Sequence, residues 1–266
     1  MLAVLEYVLK FVNIFFLLYL MVYATYLLGS VVTGAWKLYY TNKMRRIKNE
    51  IRHTTYFPVS VLVPAYNEEV TIVDSIESLL RLDYQNYEIV IVDDGSGDDT
   101  VKVLVEHFNM RTVHRPIRKK LQCQEEQRIY MADNLKVPVT LICKKNGGKG
   151  DALNMGINAS IYPYFLCIDA DSMLQEDSLE KIVQPVMEEE NVVAVGGLVR
   201  SSQSLKMKDG KRVGYQMPWN LITSMQIMEY DRSFLAARIL LDRFNGNMSV
   251  SGAFGLFKKD VVIAAG

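Results

Sequence analysis

Cysteine and histidine are scarce, with three residues of each in a chain of 266. Cys123, Cys143 and Cys167 form no C-x-x-C pair, which argues against a zinc site or a disulfide framework and favours a reducing compartment. The histidines share no ligand spacing with one another or with acidic residues. We therefore interpret them as ordinary surface or core residues and not as metal ligands.

The sequence also lacks an excess of charge of either sign, because 30 Lys and Arg residues balance 30 Asp and Glu residues. Without a basic field of the kind that attracts nucleic acid, we expect no nucleic-acid partner. No internal repeat or low-complexity tract occurs in the sequence. Its length and apolar content allow one large α/β domain or two small ones.

A long apolar run lies near the N-terminus, from Phe11 to Val32, without a charged residue. As a helix rising about 1.5 Å per residue it would be roughly 33 Å long, enough to cross a hydrocarbon core of about 30 Å. A signal peptide is the alternative. It is disfavoured because the run is long, Glu6 and Lys10 precede it, and no small-x-small cleavage site is evident. The sequence predicts a transmembrane helix at about 11–32.

Basic residues determine the predicted orientation of this helix. Lys10 alone precedes the run, and the positive-inside rule therefore places the N-terminus outside the cell membrane and the rest of the chain in the cytosol. The basic residues that follow the run are Lys37, Lys43, Arg45, Arg46, Lys48 and Arg52. We predict a membrane anchor at 1–36 in contact with lipid, a basic juxtamembrane linker at 37–56 and one soluble domain at 57–266.

Beyond residue 57, apolar strand patterns alternate with helical patterns. This alternation is typical of an α/β fold with a mostly parallel, Rossmann-like sheet covered by helices on both faces. In such sheets, ligands bind beyond the carboxyl ends of the strands. The predicted strands are 59–63, a segment ending at Asp93, 137–145, 164–171 and 191–200.

The sequence also predicts the structure of three further segments. The helix after Asp93 is predicted to have Asp98 as its N-cap. Residues 109–136 are rich in charge, and we predict a solvated excursion there, with contact to an anionic ligand or lipid head group as the alternative. The apolar spacing in 219–244 predicts one helix or two short ones, lying either near the membrane surface or in the core.

Asp169 and Asp171 follow the apolar run "YFLCI". Two residues apart on a strand, they would point to the same face. Neighbouring carboxylates repel each other unless a cation or a proton lies between them, and Mg²⁺ or Mn²⁺ prefers such oxygen ligands while leaving positions open for phosphate. The pair thus indicates a metal-diphosphate site. A polar turn leading into the next helix is an equally good explanation of the pair alone.

Asp93 ends another predicted strand and is followed by "DGSGDDT". This is a near miss to the dinucleotide fingerprint G-x-G-x-x-G, and its aspartates would repel a pyrophosphate at the helix N-terminus. A nucleotide-dependent oxidoreductase that binds NAD(P) is therefore a weaker alternative. We favour Asp93 as an acceptor of hydrogen bonds from a nucleobase or ribose over a plain turn residue.

Lys149 lies in "GGKGD", at the start of a predicted helix. The segment fails as a P-loop because Gly150 stands where Ser or Thr is required and the upstream glycine is missing. It is interpreted as a glycine-relieved turn that presents a lysine to a nucleotide.

In their order along the chain, "VPAYNEE", "VDDGS", "GGKGDALN", "DAD" and "SGAFGLFKKD" resemble the inverting glycosyltransferases of family 2, which have the nucleotide-diphosphosugar-binding GT-A fold. The resemblance covers residues 58–266 and is greatest to the membrane-anchored β-glycan synthases that make poly-N-acetylglucosamine, hyaluronan, chitin and cellulose. It implies a UDP-sugar donor such as UDP-N-acetylglucosamine, a polysaccharide or glycan acceptor, Mg²⁺ or Mn²⁺, and accessory membrane subunits.

The resemblance also implies roles for individual residues. The nucleotide would be held by Asp93, Lys149 and Asp169, and the metal by Asp171 with help from Asp169. Four residues would border the uracil and ribose, namely Pro64, Ala65, Tyr66 and Glu68. Three small residues would shape the acceptor side, where a structural glycine turn is the alternative: Ser251, Gly252 and Ala253.

No catalytic residue is assigned, because the family's general base belongs to a motif downstream of the "SGA" loop. We expect that motif, and further membrane helices, to lie beyond Gly266, so that the C-terminal part of the domain is missing from this sequence. The alternative to a transferase is a membrane-tethered nucleotide-sugar-binding module or an inactive subunit without the base.

Overall fold

The computed structural model describes residues 2–48, 57–189, 191–201, 204–208, 211–233, 250 and 252–266. The chain forms two compact units. One consists of Met1–Arg52 and Leu198–Met248, and the other of His53–Gly197 and Ser249–Gly266.

The first unit begins with helix α1, Leu2–Lys48. Among the described residues it is the one helix long and apolar enough to cross a membrane, over Val4–Lys37 with a mean hydropathy of 2.0. Every large apolar side chain from Val4 to Leu20 is exposed, as a helix surrounded by lipid would require. The helix extends beyond the predicted span on both sides and includes the first part of the predicted linker, whose residues 49–56 lie outside the described ranges.

The same unit contains a short hairpin and one further helix. The hairpin pairs β8, Leu205–Lys208, with β9, Lys211–Tyr215, in antiparallel register. Helix α6, Leu221–Asp231, is capped by Asn220, whose side-chain oxygen accepts from the amides of the first turn. It forms the first part of the helix predicted at 219–244; residues 234–249 lie outside the described part of the chain.

The second unit is built on an eight-stranded sheet with the order β3-β4-β5-β2-β1-β6-β10-β7. Its four inner strands β5, β2, β1 and β6 run parallel, and strands antiparallel to their neighbours complete both edges. The strands are β1 Val59–Ala65, β2 Tyr87–Asp93, β3 Met110–Thr112, β4 Glu126–Ala132, β5 Val139–Lys144, β6 Tyr164–Ile168, β7 Ala194–Gly196 and β10 Phe254–Lys258. The mostly parallel α/β sheet predicted from the sequence is confirmed.

Helices cover both faces of this sheet, as the continuously apolar strands require. Alternate residues of β1 point to opposite faces, so that Val61 and Val63 join one buried cluster while Leu62 joins the other. Helices α2, α3 and α5 contribute to the first cluster and α4 to the second. The helices of this unit are α2 Ile72–Leu80, α3 Thr100–His107, α4 Lys149–Ala159, α5 Ser178–Glu188 and α7 Lys259–Ala265.

The solvated excursion predicted for residues 109–136 is wrong where two strands form, although residues 113–125 between them contain no helix or strand. Strands β3 and β4 lie within it and form one edge of the sheet, with β4 antiparallel to β5. In β4 only Ile129 is buried, whereas its charged residues stay at least partly exposed. An antiparallel strand next to the edge of a sheet can keep one solvated, polar face, and this hid the strand pattern of β4.

Two other boundaries also differ from the predictions. The strand predicted at 191–200 shortens to β7, and β10 lies between it and β6. Helix α3 begins one residue later than predicted, with Asp99 at the N-cap position. The Asp98 carboxylate nevertheless accepts from the Thr100 amide at 3.1 Å, so it still serves the start of the helix.

Candidate functional site

A cleft of about 540 Å³ lies beyond the carboxyl ends of the four parallel strands. Each strand contributes its following loop, since parallel strands in register end at the same edge of the sheet. The lining residues are Pro64 and Ala65 at the end of β1, Tyr66 and Glu68 after it, Asp94 after β2, Asn146, Gly148, Lys149 and Ala152 after β5, and Asp169, Ala170 and Asp171 after β6.

The cleft brings together seven of the residues predicted from the sequence: Pro64, Ala65, Tyr66, Glu68, Lys149, Asp169 and Asp171. Asp93 is buried at the end of β2, next to the lining residue Asp94. Gly252 and Ala253 precede β10 and are not among the lining residues, and Ser251 lies outside the described residues.

Asp169 and Asp171 lie in a turn, not on the strand on which they were predicted. Strand β6 ends at Ile168, and the Ser172 amide donates to the Asp169 carbonyl oxygen at 3.0 Å, which closes the turn. The pleat therefore does not determine their orientation. Asp171 is exposed, and the Asp169 carboxylate accepts a hydrogen bond from Lys149 Nζ at 2.5 Å.

The acidic turn has the ligand chemistry of a hard divalent cation. Within the described part of the chain, no cluster of three or more His, Cys, Asp or Glu residues could bind a metal by itself. Two carboxylates facing a cleft fit Mg²⁺ or Mn²⁺, because these ions complete their octahedral shells with water and substrate phosphates. Asp171 and Asp169 are the residues that would hold such an ion.

Asp93 has an electrostatic environment unusual for a turn residue. Burial raises the pKa of its carboxyl group, while hydrogen bonds from Ser96 lower it and the nearby charge of Asp98 raises it further. The Ser96 amide lies 3.4 Å from both carboxylate oxygens. A buried carboxylate with long hydrogen bonds retains acceptor capacity for a ligand.

The loop "GSGDDT" connects protein segments instead of forming a dinucleotide site. The Gly97 amide donates to Asn67 Oδ1 at 2.8 Å, and the Asp98 carboxylate accepts from the Glu69 amide at 3.2 Å. These bonds tie the loop after β2 to the loop after β1. The polar groups that a pyrophosphate would need are thus committed to the protein, which argues against the oxidoreductase alternative.

The "GGK" turn is likewise held from within the protein. Asp94 accepts from the amides of Gly147 at 3.0 Å and Gly148 at 2.7 Å. Gly148 has a φ of 88°, a conformation that favours glycine. Because these two amides bind a carboxylate of the protein, they cannot also cradle a phosphate as a P-loop does.

A buried ion network beneath the cleft was missed in the sequence. The fully buried Lys144 pairs with Asp94 and with Asp151, the latter at 2.7 Å. Burial opposes the charge on Lys144, but hydrogen bonds to Asp151 and Asp94 outweigh it and raise its pKa. The sequence did contain a signal for it. Lys144 ends an apolar strand pattern, Asp94 follows the strand pattern before it, and Asp151 comes shortly after Lys144 itself.

The fold and the cleft define a GT-A protein, the class of nucleotide-diphosphosugar transferases. A mannosyltransferase from Pyrobaculum calidifontis, solved in complex with GDP-Man and Mn²⁺, shares this fold with a TM-score of 0.53 and 18% sequence identity, over 91% of this chain and 58% of that one. The chain belongs to glycosyl transferase family 2, whose profile matches residues 60–123 and 126–262.

Curated relatives include the poly-beta-1,6-N-acetyl-D-glucosamine synthases of Staphylococcus aureus (strain COL) and Staphylococcus epidermidis. The first is 24% identical over 93% of this chain and 52% of its own length. The second is 24% identical over 94% of this chain and 50% of its own length. The chain therefore spans about half the length of these relatives.

Proposed function

We propose that the chain carries the donor-binding domain of a membrane-anchored, inverting glycosyltransferase that transfers a sugar from a UDP-sugar to a growing polysaccharide. One observation carries the proposal: Lys149, Asp169 and Asp171 meet in one cleft, next to the buried Asp93. A lysine, two accessible carboxylates and a hydrogen-bond acceptor match the diphosphate, its metal and the nucleoside of such a donor. UDP-N-acetylglucosamine is the donor we favour, because the curated relatives named above make a polymer of N-acetylglucosamine.

The nucleoside would lie at the β1 and β2 end of the cleft. Asp93 would accept a hydrogen bond from the uracil or the ribose. The loop after β1 would border these groups, with the exposed ring of Tyr66 offering an apolar surface to the base. Glu68 in the same loop, with Pro64 and Ala65 at the end of β1, would border them too.

The diphosphate would lie between α4 and the turn after β6. Asp171 would be the main ligand of a Mg²⁺ or Mn²⁺ ion and Asp169 a second one. When bound, the ion would offset the negative charge that grows on the departing diphosphate. Lys149 would bind the diphosphate oxygens from the α4 side, where its charge would stabilise the leaving group.

The acceptor would approach from the side of Ser251, Gly252 and Ala253, where small side chains allow a sugar to contact the backbone. Inversion requires an acceptor hydroxyl to attack the anomeric carbon opposite the leaving diphosphate, with a general base to take its proton.

Helix α1 would hold this domain at the cell membrane, with the N-terminus outside and the cleft in the cytosol. The proposal rests on the exposed apolar surface of α1 and on the basic residues that follow residue 36. A cytosolic cleft would have direct access to nucleotide sugars.

Calorimetric titration of the full chain in detergent with UDP, with and without Mn²⁺, tests the proposal. We expect Asp171→Asn to abolish the metal-dependent part of the affinity, because a neutral amide is a poor ligand for a hard cation. Asp83→Asn is the matched control, since Asp83 is an exposed aspartate that precedes β2, away from the cleft. Metal-dependent affinity that is unchanged in Asp171→Asn would contradict the assignment.

A turnover assay then separates a transferase from a binding module. Release of UDP from UDP-N-acetylglucosamine in the presence of a glycan acceptor would support transfer. Tight UDP binding without release would favour the nucleotide-sugar-binding module.

A further inference from the structure

The Lys144 ammonium group contacts three acceptors inside the protein. It pairs with the carboxylates of Asp94 and Asp151 and donates to the Lys145 carbonyl oxygen at 2.7 Å. The side chain is 0% exposed and does not line the cleft. Because its three N–H donors are already bound to acceptors of the protein, Lys144 has none left for a bound UDP-sugar, and any effect on binding must pass through its partners.

Asp94 is the partner that reaches the cleft. Besides Lys144, its carboxylate accepts from Gly147 and Gly148, and its carbonyl oxygen accepts from Asn146 Nδ2 at 2.8 Å. Asp94, which directly follows β2, thus holds the turn that immediately precedes Lys149. If Asp94 moves, the Gly147 and Gly148 amides lose the carboxylate to which they donate.

Asp151 fixes the same turn from the other side. It lies in the first turn of α4, and its carboxylate accepts from the Gln124 amide at 2.9 Å. A Cβ atom on Gly147 would lie 2.4 Å from Asp151 Oδ1, so the turn is in close contact with this carboxylate. Lys144 keeps both carboxylates close to the turn, because without its charge they would repel each other.

We infer that Lys144 is a positioning residue that, through Asp94 and Asp151, sets the Gly147–Gly148 turn and thereby places Lys149 for the diphosphate of the donor. The inference rests on the proposed function, since it concerns the same nucleotide-diphosphate site. If Lys144 only stabilised the fold, its replacement would change the melting temperature. Any effect on UDP affinity would then be the same with and without Lys149.

The choice of variant matters because Lys144→Met alone leaves the buried Asp94 and the partly buried Asp151 carboxylates without a counterion, which can prevent folding. Lys144→Met/Asp151→Asn removes one positive and one negative charge, so the net charge of the network stays the same. Asp151→Asn alone keeps the Lys144–Asp94 pair and should lose less affinity than the double variant. Lys181→Met/Asp177→Asn, which removes an exposed ion pair on α5, is the matched control and should bind UDP like the parent.

The test is a double-mutant cycle on UDP affinity with Mn²⁺ present, measured by calorimetry on the full chain in detergent. Loss of one charge-assisted contact corresponds to an affinity about tenfold weaker. We expect this loss for Lys144→Met/Asp151→Asn and also for Lys149→Met. Because both changes act on the same contact, their combination should bind UDP no more weakly than Lys149→Met alone.

Faster amide exchange in a peptide covering 145–151 of the double variant would show that the turn has loosened, independently of UDP. Two results would overturn the inference while leaving the proposed function intact: losses that multiply to about a hundredfold in the combined variant, or parental UDP affinity in the double variant. If the parent chain itself binds no UDP, the proposed function fails, and this inference with it.

Discussion

Lys149 Nζ lies 2.5 Å from the Asp169 carboxylate, and the pair joins the start of α4 to the turn after β6. Both side chains are partly exposed to the cleft, so this ion pair contributes little to stability. Its importance is in binding, because Lys149 is the proposed partner of the diphosphate and Asp169 that of the metal. The pair sets a competition between a protein cation and a metal ion for one carboxylate.

Removal of the lysine should therefore affect two ligands in opposite directions. In Lys149→Met we expect Mn²⁺ alone to bind several-fold more tightly, because Asp169 loses its competing cation. UDP with saturating Mn²⁺ should bind about tenfold more weakly, because the diphosphate loses a charge-assisted contact. Electron paramagnetic resonance of free Mn²⁺ and calorimetry measure the two affinities.

Lys181→Met is the control for this pair of measurements, since Lys181 forms an exposed ion pair with Asp177 on α5. Neither affinity should change in that variant. Weaker binding of both Mn²⁺ and UDP in Lys149→Met would rule out the competition.

Asp93→Asn should raise the melting temperature of the protein at neutral pH and weaken its binding of UDP. Burial raises the pKa of the Asp93 carboxyl group, so its charged form is less stable in the folded protein than in the unfolded chain. The cost is present at neutral pH and disappears as the pH falls through the raised pKa. We expect the variant to melt at a higher temperature than the parent at pH 7 but not at pH 3, and to bind UDP more weakly.

Thermal melts across this pH range, with Asp83→Asn alongside, check the sign. Asp83 is exposed, so its replacement should leave the pH dependence of the melting temperature as in the parent. A stability gain for Asp93→Asn that persists at pH 3 would point to a cause other than ionisation.

Gly95 and Gly97 offer a matched comparison within one loop. Gly95 has a φ of 74°, and a Cβ atom there would lie 3.0 Å from the Asn146 amide nitrogen. For Gly97 no atom lies within 4 Å of such a Cβ. Gly95→Ala should cost about 1–2 kcal/mol from the left-handed backbone alone, whereas Gly97→Ala should be nearly neutral. Thermal melting distinguishes them, and equal shifts would contradict this account of the loop.

The topology of α1 can be tested by labelling single cysteines with a membrane-impermeant maleimide. Burial raises the pKa of the Cys143 and Cys167 thiols to about 12, which makes both unreactive. In a Cys123→Ser background, Glu6→Cys should be labelled in intact cells and Lys102→Cys only after permeabilisation. The reverse pattern would contradict the proposed orientation.

The parallel strands and their loops could be predicted because their sequence signals are local. A continuously apolar strand that ends in polar residues, as at Asp93, indicates both its burial and the edge at which its loop lies. The convergence of Lys149 with the acidic turn then follows from strand direction alone. The position of the cleft could therefore be predicted without knowledge of side-chain contacts.

The remaining features depend on contacts between distant segments. Lys144 directly follows the core residue Cys143 on β5, yet lysine is almost never fully buried unless paired. Its partners come from the loop after β2 and from the first turn of α4. Strand β4, next to the edge strand β3, keeps a polar face that interrupts its apolar pattern. The position of β10 within the sheet is invisible to any pattern read along the chain.

Because β10 pairs with β6, the sheet cannot be completed until β10 has been synthesised. Strand β6 pairs on one side with β1, but its other side pairs with Phe254–Lys258, which the ribosome makes after the rest of the sheet. At about 5–20 residues per second, β6 would wait roughly 5–20 s with an open hydrogen-bonding edge. An unpaired edge of this kind attracts other chains. During translation, the strand that leads into the acidic turn is therefore exposed to misassembly until β10 has been made.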